Sequence, residues 1–278
     1  MATRAARFSE TTFAFVDVET TGMDPLAHRV VEAACVVTRA GRRLETYSTL
    51  INPGRPIPAT ASAVHHLTDD CVTAAPSLEL VVPRLRELVA DAVVVAHNAA
   101  FDLAFLPFLR ERPTLCSMRF AQMAAPEAPN HKNQVLRYHL GVRDPALSRG
   151  SAHGALGDAI VTSLVFDECA RRYLYMGSRD DVPLAIRTAM APRRLRALPF
   201  GKHRGKPSGD VSADYLRWLL IALAPRSLDV RHTARIELER RAGCPNESPI
   251  VVGCGALVCV WMINSLTRFF VTRRTAET

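Results

Sequence analysis

The sequence predicts an α/β fold in which a mixed β-sheet is flanked by helices. Three runs of apolar, β-branched and aromatic residues come first, over residues 13–18, 30–38 and 47–51, and short turn segments separate them. Such runs are typical of consecutive strands joined as a meander. Segments with helical spacing then alternate with one more strand, and this order indicates a mixed sheet covered by helical layers.

The later elements of this first domain follow from proline positions and apolar spacing. Three prolines between residues 53 and 58 predict an extended loop. Residues 78–89 have the spacing of a helix, residues 92–96 a short buried-type strand, and residues 99–112 are predicted to be helical. Residues 155–173 have a long amphipathic pattern that suits a helix packed on the sheet.

The chain of 278 residues is long enough for one full domain and an appended module. Its composition changes along the chain, and the changes predict four parts. These are a main domain over residues 10–175, a polar linker over 176–196, a small basic α+β module over 197–242 and a hydrophobic tail over 243–278.

The basic module is predicted to contain a hairpin and two helices. Residues 198–200 and the turn at 201–205 indicate the hairpin. Ser212 is placed to cap a helix over residues 213–223, and Ser227 to cap a second one.

Positive charge is concentrated in the last third of the chain. The formal net charge is +8, and the segment from Arg193 to Arg241 has twelve basic residues against five acidic ones, which leaves +7 there. An anionic partner such as nucleic acid fits this excess. Hydrophobic residues make up 48% of the chain, which argues against disorder over most of its length.

The seven cysteines are odd in number, scattered and without a C-x-x-C pair. They indicate reduced thiols and argue against a disulfide framework or a zinc site. The first residues are polar and basic with no apolar segment behind them. We therefore expect a cytoplasmic protein and not a secreted one.

The hydrophobic tail contains a segment without charge over residues 248–267. As a helix this segment would span about 30 Å, the thickness of a bilayer core. It is therefore a candidate membrane anchor at the C-terminus. A packed terminal helix and a contact between subunits are the two alternatives, and the sequence does not predict the oligomeric state.

Acidic residues interrupt two of the buried-type segments. Asp17 and Glu19 end the first strand two residues apart, so strand geometry places both on one face, roughly 6.6 Å apart along the backbone. Asp102 falls in the first turn of the predicted helix that follows the strand at residues 92–96. The alternatives are solvent-facing acids for the first pair and an acid that satisfies the helix dipole for Asp102.

A histidine and an acid, His153 and Asp158, are spaced by five residues before the long helix. Inside one helix this spacing puts them about 140° apart, so they would face different ways. With His153 in the entry loop and Asp158 in the first turns, both could point into one cleft. A histidine with a purely structural role is the alternative.

Together these segments resemble the histidine-bearing branch of the DEDD exonuclease superfamily. The match extends from about residue 11 to 172 and includes Asp-x-Glu-Thr-Thr-Gly at residues 17–22, Val64-His65 after the proline-rich loop, and His-Asn-Ala-Ala-Phe-Asp at residues 97–102. The resemblance implies an RNase H-like fold. A second pattern, Phe-Gly-Lys-x-x-Gly-Lys at residues 200–206, resembles the C-terminal segment of the exodeoxyribonuclease X group.

The resemblance also implies a catalytic set and its cofactors. Two Mg²⁺ or Mn²⁺ ions would be held by Asp17, Glu19, Asp102 and Asp158, and His153 would be the general base that accepts a proton from the attacking water. Independently, hard divalent cations prefer carboxylate oxygens, and a two-metal site suits the in-line displacement at a phosphodiester. A histidine has an intrinsic pKa near neutrality, which suits a general base.

By similarity, a pocket for the terminal nucleotide is expected around Thr20, Val64, His65 and Phe101. One departure from the family pattern is His66, where members usually have glycine, and it puts the nucleotide preference in question. His97 and its neighbour Asn98 are expected to support the turn from strand to helix.

In the basic module, Lys202, Arg204 and Lys206 are predicted to contact phosphates, since glycines between them allow a close approach. Tyr215 and Trp218 could offer stacking faces to bases. The alternative is that these aromatic residues form the core of a small domain, with solvated cations on its surface.

These features predict a metal-dependent 3′–5′ exodeoxyribonuclease that releases 5′-mononucleotides from single-stranded or duplex DNA 3′ ends, in repair or end trimming. Two alternatives remain open from the sequence. An RNA 3′–5′ exonuclease would have the same core motifs, because contact with a 2′-hydroxyl depends on pocket shape. A nucleic-acid-binding protein without catalysis would keep the fold alone.

Overall fold

A computed structural model describes residues 6–145, 147, 154–222 and 227–243 of the chain. The chain divides into two compact units, Met1–Ala191 and Pro192–Thr278. Within the described residues, no helix is both long and apolar enough to cross a membrane. The uncharged segment over residues 248–267 lies outside them.

The first unit contains one five-stranded sheet with strand order β3-β2-β1-β4-β5. β1 pairs antiparallel with β2 and β2 with β3, whereas β1 pairs parallel with β4 and β4 with β5. The strands are β1 (Thr12–Thr20), β2 (Val30–Arg39), β3 (Arg42–Leu50), β4 (Val93–Ala96) and β5 (Thr114–Cys116). The mixed sheet predicted from the sequence is confirmed.

Eight α-helices belong to the described part of this unit. They are α1 (Ala59–His65), α2 (Asp69–Val72), α3 (Leu78–Val89), α4 (Asp102–Phe105), α5 (Ser117–Ala124), α6 (Asn133–His139), α7 (Ala155–Tyr175) and α8 (Val182–Met190). Side chains of successive strand residues point to opposite sides of the sheet. Apolar side chains of β1 lie on both sides, and helices cover both faces. Phe13 and Phe15 of β1 pack with α5 and α7, whereas Val16 and Val18 pack with α3.

The predicted helix over residues 99–112 is instead divided. A single turn, α4, is followed by a 3₁₀ segment at Pro107–Glu111. Pro107 has no N–H to donate to a helix, and it disfavours helical dihedral angles in the residue before it. Leu106 accordingly has φ −120° and ψ 69°.

The first unit extends past residue 175, where the sequence predicts a linker to begin. α8 lies within the predicted linker and buries Val182, Ala185 and Ala189 against the core. The Asp181 carboxylate caps this helix by accepting a hydrogen bond from the Leu184 N–H at 2.9 Å. Two of the three buried residues of α8 are alanines, which weakens the apolar pattern of this helix in the sequence.

The second unit has a small core between two helices, α9 (Ala213–Ala222) and α10 (Leu228–Arg241). Six buried side chains form this core: Leu198, Val211, Leu216, Leu219, Val230 and Ala234. In place of the predicted hairpin strands, two backbone hydrogen bonds join Leu198 to Lys206 and Gly205 without forming a strand in the described part of this unit. Of the two predicted serine caps, Ser212 accepts a hydrogen bond from the Tyr215 N–H at 3.4 Å, whereas Ser227 stands at the N-cap position of α10 without a side-chain capping hydrogen bond.

Replacing Glu237 of α10 with Gln is expected to destabilise the second unit at neutral pH and to reduce its acid sensitivity. The Glu237 side chain is buried, and hydrogen bonds from Arg240 and Arg241 lower the pKa of its carboxyl from 4.5 to about 2. A group with a depressed folded-state pKa stabilises the fold above its unfolded pKa. This contribution is therefore lost as pH falls from about 4.5 to about 2.

Denaturant unfolding, followed by Trp218 emission in a Trp261→Phe background, measures this effect across the acidic range. Glu239→Gln is the matched control, because Glu239 is an exposed acid on the same helix. An equal decline in stability below pH 4.5 in wild type and Glu237→Gln would contradict the assignment.

Candidate active site

Three acidic side chains meet where β1 ends and α7 begins. Asp17 and Glu19 point to the face of β1 that packs against α7, because alternate residues of the strand share that face. Asp158 lies in the first turn of α7. Carboxylate oxygens of the three residues all lie within 4.8 Å of one another, and all three residues are half-buried.

The electrostatics of this cluster favour a bound cation. Burial raises the pKa of Asp17 well above its usual value, and the charges of Asp102 and Asp158 raise it further. Burial and the charge of Asp158 raise the pKa of Glu19 to about 8. Like charges held this close are unfavourable in a poorly solvated site without a counter-charge. A hard divalent cation with oxygen ligands fits this donor set.

Asp102 approaches the same site from the neighbouring strand. β4 runs parallel to β1, so both strands end at the same edge of the sheet, and Asp102 begins α4 shortly after β4. It is 2% exposed, and burial raises its pKa to about 7, although the backbone N–H groups of Asp102 and Val18 oppose the rise. Asp102 lies outside the tight group of three carboxylates, while its charge still acts on Asp17.

Glu32 is an additional acid at this site that the sequence analysis does not single out. It lies directly across from Glu19 in the β1–β2 register. Its Oε2 accepts a hydrogen bond from the Ala155 N–H at 3.0 Å, at the N-terminus of α7. Glu32 therefore fixes the helix end that carries Asp158. In the sequence, Glu32 could have been noticed as an acidic residue inside the apolar run of β2.

Gln134 of α6 orients Asp158 directly. Its Nε2 donates a hydrogen bond to Asp158 Oδ1 at 2.7 Å. The neighbouring Asn133 donates to the Asp158 carbonyl at 3.1 Å and to Thr162 Oγ1 at 3.0 Å, which ties α6 to α7. No sequence motif marks Gln134, because its role depends on the packing of two helices.

His65 has a free donor in the predicted nucleotide pocket. Its Nδ1 accepts a hydrogen bond from the Leu67 N–H at 3.1 Å, so in the neutral ring Nε2 carries the proton. Burial lowers the pKa of His65, which favours this neutral form, and the nearby Thr20 backbone partly opposes the shift. Nε2 is buried and has no hydrogen-bond partner among the described residues.

The other predicted pocket residues differ in exposure. Thr20 is buried, and its hydroxyl donates to the Gly22 carbonyl at 2.7 Å. Val64 is 52% exposed and is free to contact a ligand. Phe101 is half-buried and packs on Phe105 with ring centroids 5.0 Å apart.

Backbone geometry accounts for two further features of the motifs. His66 ends α1 in the left-handed region, at φ 63°, which explains why glycine suits this position. At Gly22, a Cβ would lie 2.5 Å from the His28 ring, so this glycine allows a close approach. His97 supports the turn after β4 through the Ser117 hydroxyl at 2.9 Å and the His131 carbonyl at 2.8 Å.

The structure does not place four of the predicted site residues at the acidic cluster. His153 lies outside the described residues and directly precedes Gly154, the N-cap of α7, in sequence. Lys202, Arg204 and Lys206 belong to the second unit, where all three are exposed.

The sequence model of a family described as exonuclease matches residues 14–166. A DNA polymerase III subunit epsilon-like protein of Rhodobacter capsulatus is 38% identical over 165 residues, covering 56% of this chain and 23% of that protein. The PolC-type DNA polymerase III of Bacillus subtilis is 31% identical over 136 residues, covering 46% of this chain and 10% of the polymerase. The chain thus spans less than a quarter of the length of these curated relatives.

Solved structures share the fold of the first unit. Exonuclease X in complex with 5′-overhanging duplex DNA has 25% sequence identity and a TM-score of 0.50, covering 64% of this chain and 99% of that chain. Escherichia coli exonuclease I in complex with a dT13 oligonucleotide has 16% sequence identity and a TM-score of 0.51, covering 60% of this chain and 42% of that chain. The predicted RNase H-like exonuclease fold is confirmed.

Proposed function

Because the chain belongs to the exonuclease family, whose sequence model spans most of its first unit, we propose that it is a metal-dependent 3′–5′ exodeoxyribonuclease releasing 5′-mononucleotides. The observation that carries this proposal is the convergence of Asp17, Glu19 and Asp158 within 4.8 Å, with Asp102 beside them. The preference for DNA is supported by the similarity to exonuclease X, which was solved with a DNA duplex.

Asp17, Glu19, Asp102 and Asp158 would hold two Mg²⁺ or Mn²⁺ ions. Such a pair supplies positive charge to both the attacking and the leaving oxygen of a phosphodiester. The chain's own contribution is a rigid set of ligands, because β1 fixes two of the carboxylates and Gln134 fixes Asp158. His153, which directly precedes Gly154 in sequence, is the proposed general base.

The pocket residues would hold the terminal nucleotide. His65 Nε2–H is a buried donor without a partner in the described part of the chain, and an oxygen of the terminal sugar is a suitable acceptor. Phe101 and Val64 would contact the sugar or base with apolar surface. DNA repair or end trimming would be the setting of this activity.

Digestion of 5′-labelled single-stranded DNA and RNA of one sequence tests the proposal. We expect a ladder of shortened DNA products with Mg²⁺, no ladder with chelator, and none with the Asp17→Ala, Glu19→Ala double variant. Duplex DNA with a recessed or protruding 3′ end gives the end preference. A ladder from RNA alone would reassign the substrate, and intact DNA and RNA under all conditions would leave a binding protein without catalysis.

Gln134→Leu is expected to lower DNA digestion by about 10- to 100-fold, the usual loss when a residue that orients a metal ligand is removed. The leucine cannot donate to Asp158 Oδ1, so the carboxylate loses its fixed orientation. The loss should be smaller at high Mg²⁺ concentration, which a titration of rate against Mg²⁺ measures. His139→Gln is the matched control, because His139 lies on the same helix and pairs only weakly with Glu127.

A further inference from the structure

The second unit lies entirely beyond the residues that the exonuclease family model matches. One of its surfaces is a tight turn between Leu198 and Lys206, which we call the cationic turn. The Leu198 N–H donates to the Lys206 carbonyl at 2.9 Å, and the Gly205 N–H donates to the Leu198 carbonyl at 2.8 Å. Gly201 and Gly205 have φ near 80°, so the turn has a defined backbone conformation.

The cationic turn presents three positive side chains without counter-charges. Lys202, Arg204 and Lys206 are exposed, and none has an ion pair or side-chain hydrogen bond within the described part of the chain. By contrast, Arg217 pairs with Asp214 at 2.7 Å and Arg240 pairs with Glu237 at 2.6 Å in the same unit. The unpaired cations therefore attract an anionic ligand.

Aromatic rings, two of them exposed, lie beside the cationic turn. His203 of the turn contacts Tyr215 edge-on with ring centroids 4.5 Å apart, and Tyr215 contacts Trp218 at 5.2 Å. A Cβ on Gly201 would lie 2.7 Å from the Tyr215 hydroxyl, so the turn packs directly on this ring. Trp218 is 52% exposed and Phe200 is 41% exposed.

The two interpretations of these aromatic residues apply to different residues, because Tyr215 is half-buried against the small core whereas Trp218 is exposed. Leu216 and Leu219 of α9 are buried and form the core of the unit. Trp218 lies between them in sequence and is outside that core, so a purely structural role does not account for it. A large aromatic face left in solvent next to unpaired cations suits a ligand that has both flat rings and negative charge.

A cavity of about 500 Å³ with several arginines in its lining lies next to the cationic turn in sequence. It is lined by Arg194, Arg196 and Arg240, with the buried Glu237 as a single acid among them. Pro207 and Ser208, which follow the cationic turn directly, also line it. Three guanidinium groups against one carboxylate leave a net positive cavity that a phosphate group would fit.

We propose that the second unit binds single-stranded nucleic acid, with bases stacked on Trp218 and Phe200. The phosphates would contact the cationic turn and the arginine-lined cavity. A single strand is favoured over a duplex because its bases are unstacked and can lie against an aromatic face. This proposal does not rest on catalysis in the first unit, since no residue of the candidate active site takes part in it.

Binding to closed circular single-stranded DNA tests this site separately from the active site, because a circle has no 3′ end. The full chain is measured with chelator, at several salt concentrations. Trp218→Ala is expected to weaken binding by about tenfold, which is the usual effect of losing one stacked base. Trp218→Phe should retain most of the affinity, whereas Trp218→Leu should not. Tyr175→Ala, an exposed aromatic residue of the first unit, is the matched control.

Replacing Lys202, Arg204 and Lys206 together with Gln is expected to reduce the slope of log affinity against log salt by about 2 for a single strand. A direct readout is the emission of Trp218 in a Trp261→Phe background, which stacked bases should quench. Unchanged Trp218 emission at saturating circular DNA would overturn the proposal. Equal affinity of Trp218→Ala and wild type, or binding to anionic vesicles without binding to DNA, would also overturn it.

Discussion

Asp158→Asn is expected to lower the rate of DNA digestion by on the order of a thousandfold, because it removes one carboxylate from the cluster that would hold the metal ions. A thousandfold loss corresponds to about 4 kcal/mol of transition-state stabilisation. The asparagine keeps the shape of the side chain and can still pair with Gln134. The fold should therefore be retained, which near-ultraviolet circular dichroism can check.

Asp167→Asn is the matched control for this prediction, since Asp167 lies on the same helix and is also partly buried. Burial raises the pKa of Asp167 to about 6, yet it lines a separate cavity with Gly41 and Arg171 and is not part of the acidic cluster. We expect this variant to digest DNA at the wild-type rate. Equal losses in both variants would mean that disturbance of α7, and not loss of a ligand, explains the effect.

The sequence predicts the carboxylates of the site through the resemblance to the exonuclease motifs, and the strand geometry agrees with that prediction. Two acids two residues apart on a strand share one face, and that face of β1 packs against α7. Asp102 follows β4, which ends at the same edge of the sheet as β1 because the two strands are parallel. These residues can be identified without knowing how the helices pack.

The residues that sequence analysis misses depend on contacts between distant segments. Glu32 bonds the N-terminus of α7 across 123 residues of chain, and Gln134 reaches Asp158 from a separate helix. Neither contact leaves a periodic pattern in the sequence. α8 was interpreted as a linker for a related reason, because its contacts with the core use Ala185 and Ala189, which have little hydrophobic contrast.

The second unit shows the same division between local and tertiary signals. Its helices begin directly after the serines that the sequence predicts, because the start of a helix is a local feature, although Ser212 accepts a capping hydrogen bond and Ser227 does not. The outward position of Trp218, beside two buried leucines, could not be predicted from helical spacing alone. It follows from which side of α9 faces the small core, and the packing of Leu198 and Val230 decides that.

Mg²⁺ is expected to stabilise the first unit, and its removal by chelator should lower the unfolding temperature. Ligand at 100 times its Kd contributes about 2.7 kcal/mol, which corresponds to about 5 to 10 °C for a unit of this size. The physical cause is the set of like charges at Asp17, Glu19 and Asp158, which a cation neutralises. Differential scanning calorimetry with Mg²⁺ and with chelator measures the shift.

Asp17→Asn should raise the unfolding temperature of the metal-free first unit. The raised pKa of Asp17 means that burial and neighbouring charges oppose its ionised form in the folded state. A neutral side chain of the same shape removes that cost, so the variant with chelator should unfold at a higher temperature than wild type with chelator. The variant should also gain less from Mg²⁺, because one ligand is missing. A metal-free variant less stable than metal-free wild type would refute the view of this cluster as a site held under charge repulsion until a cation binds.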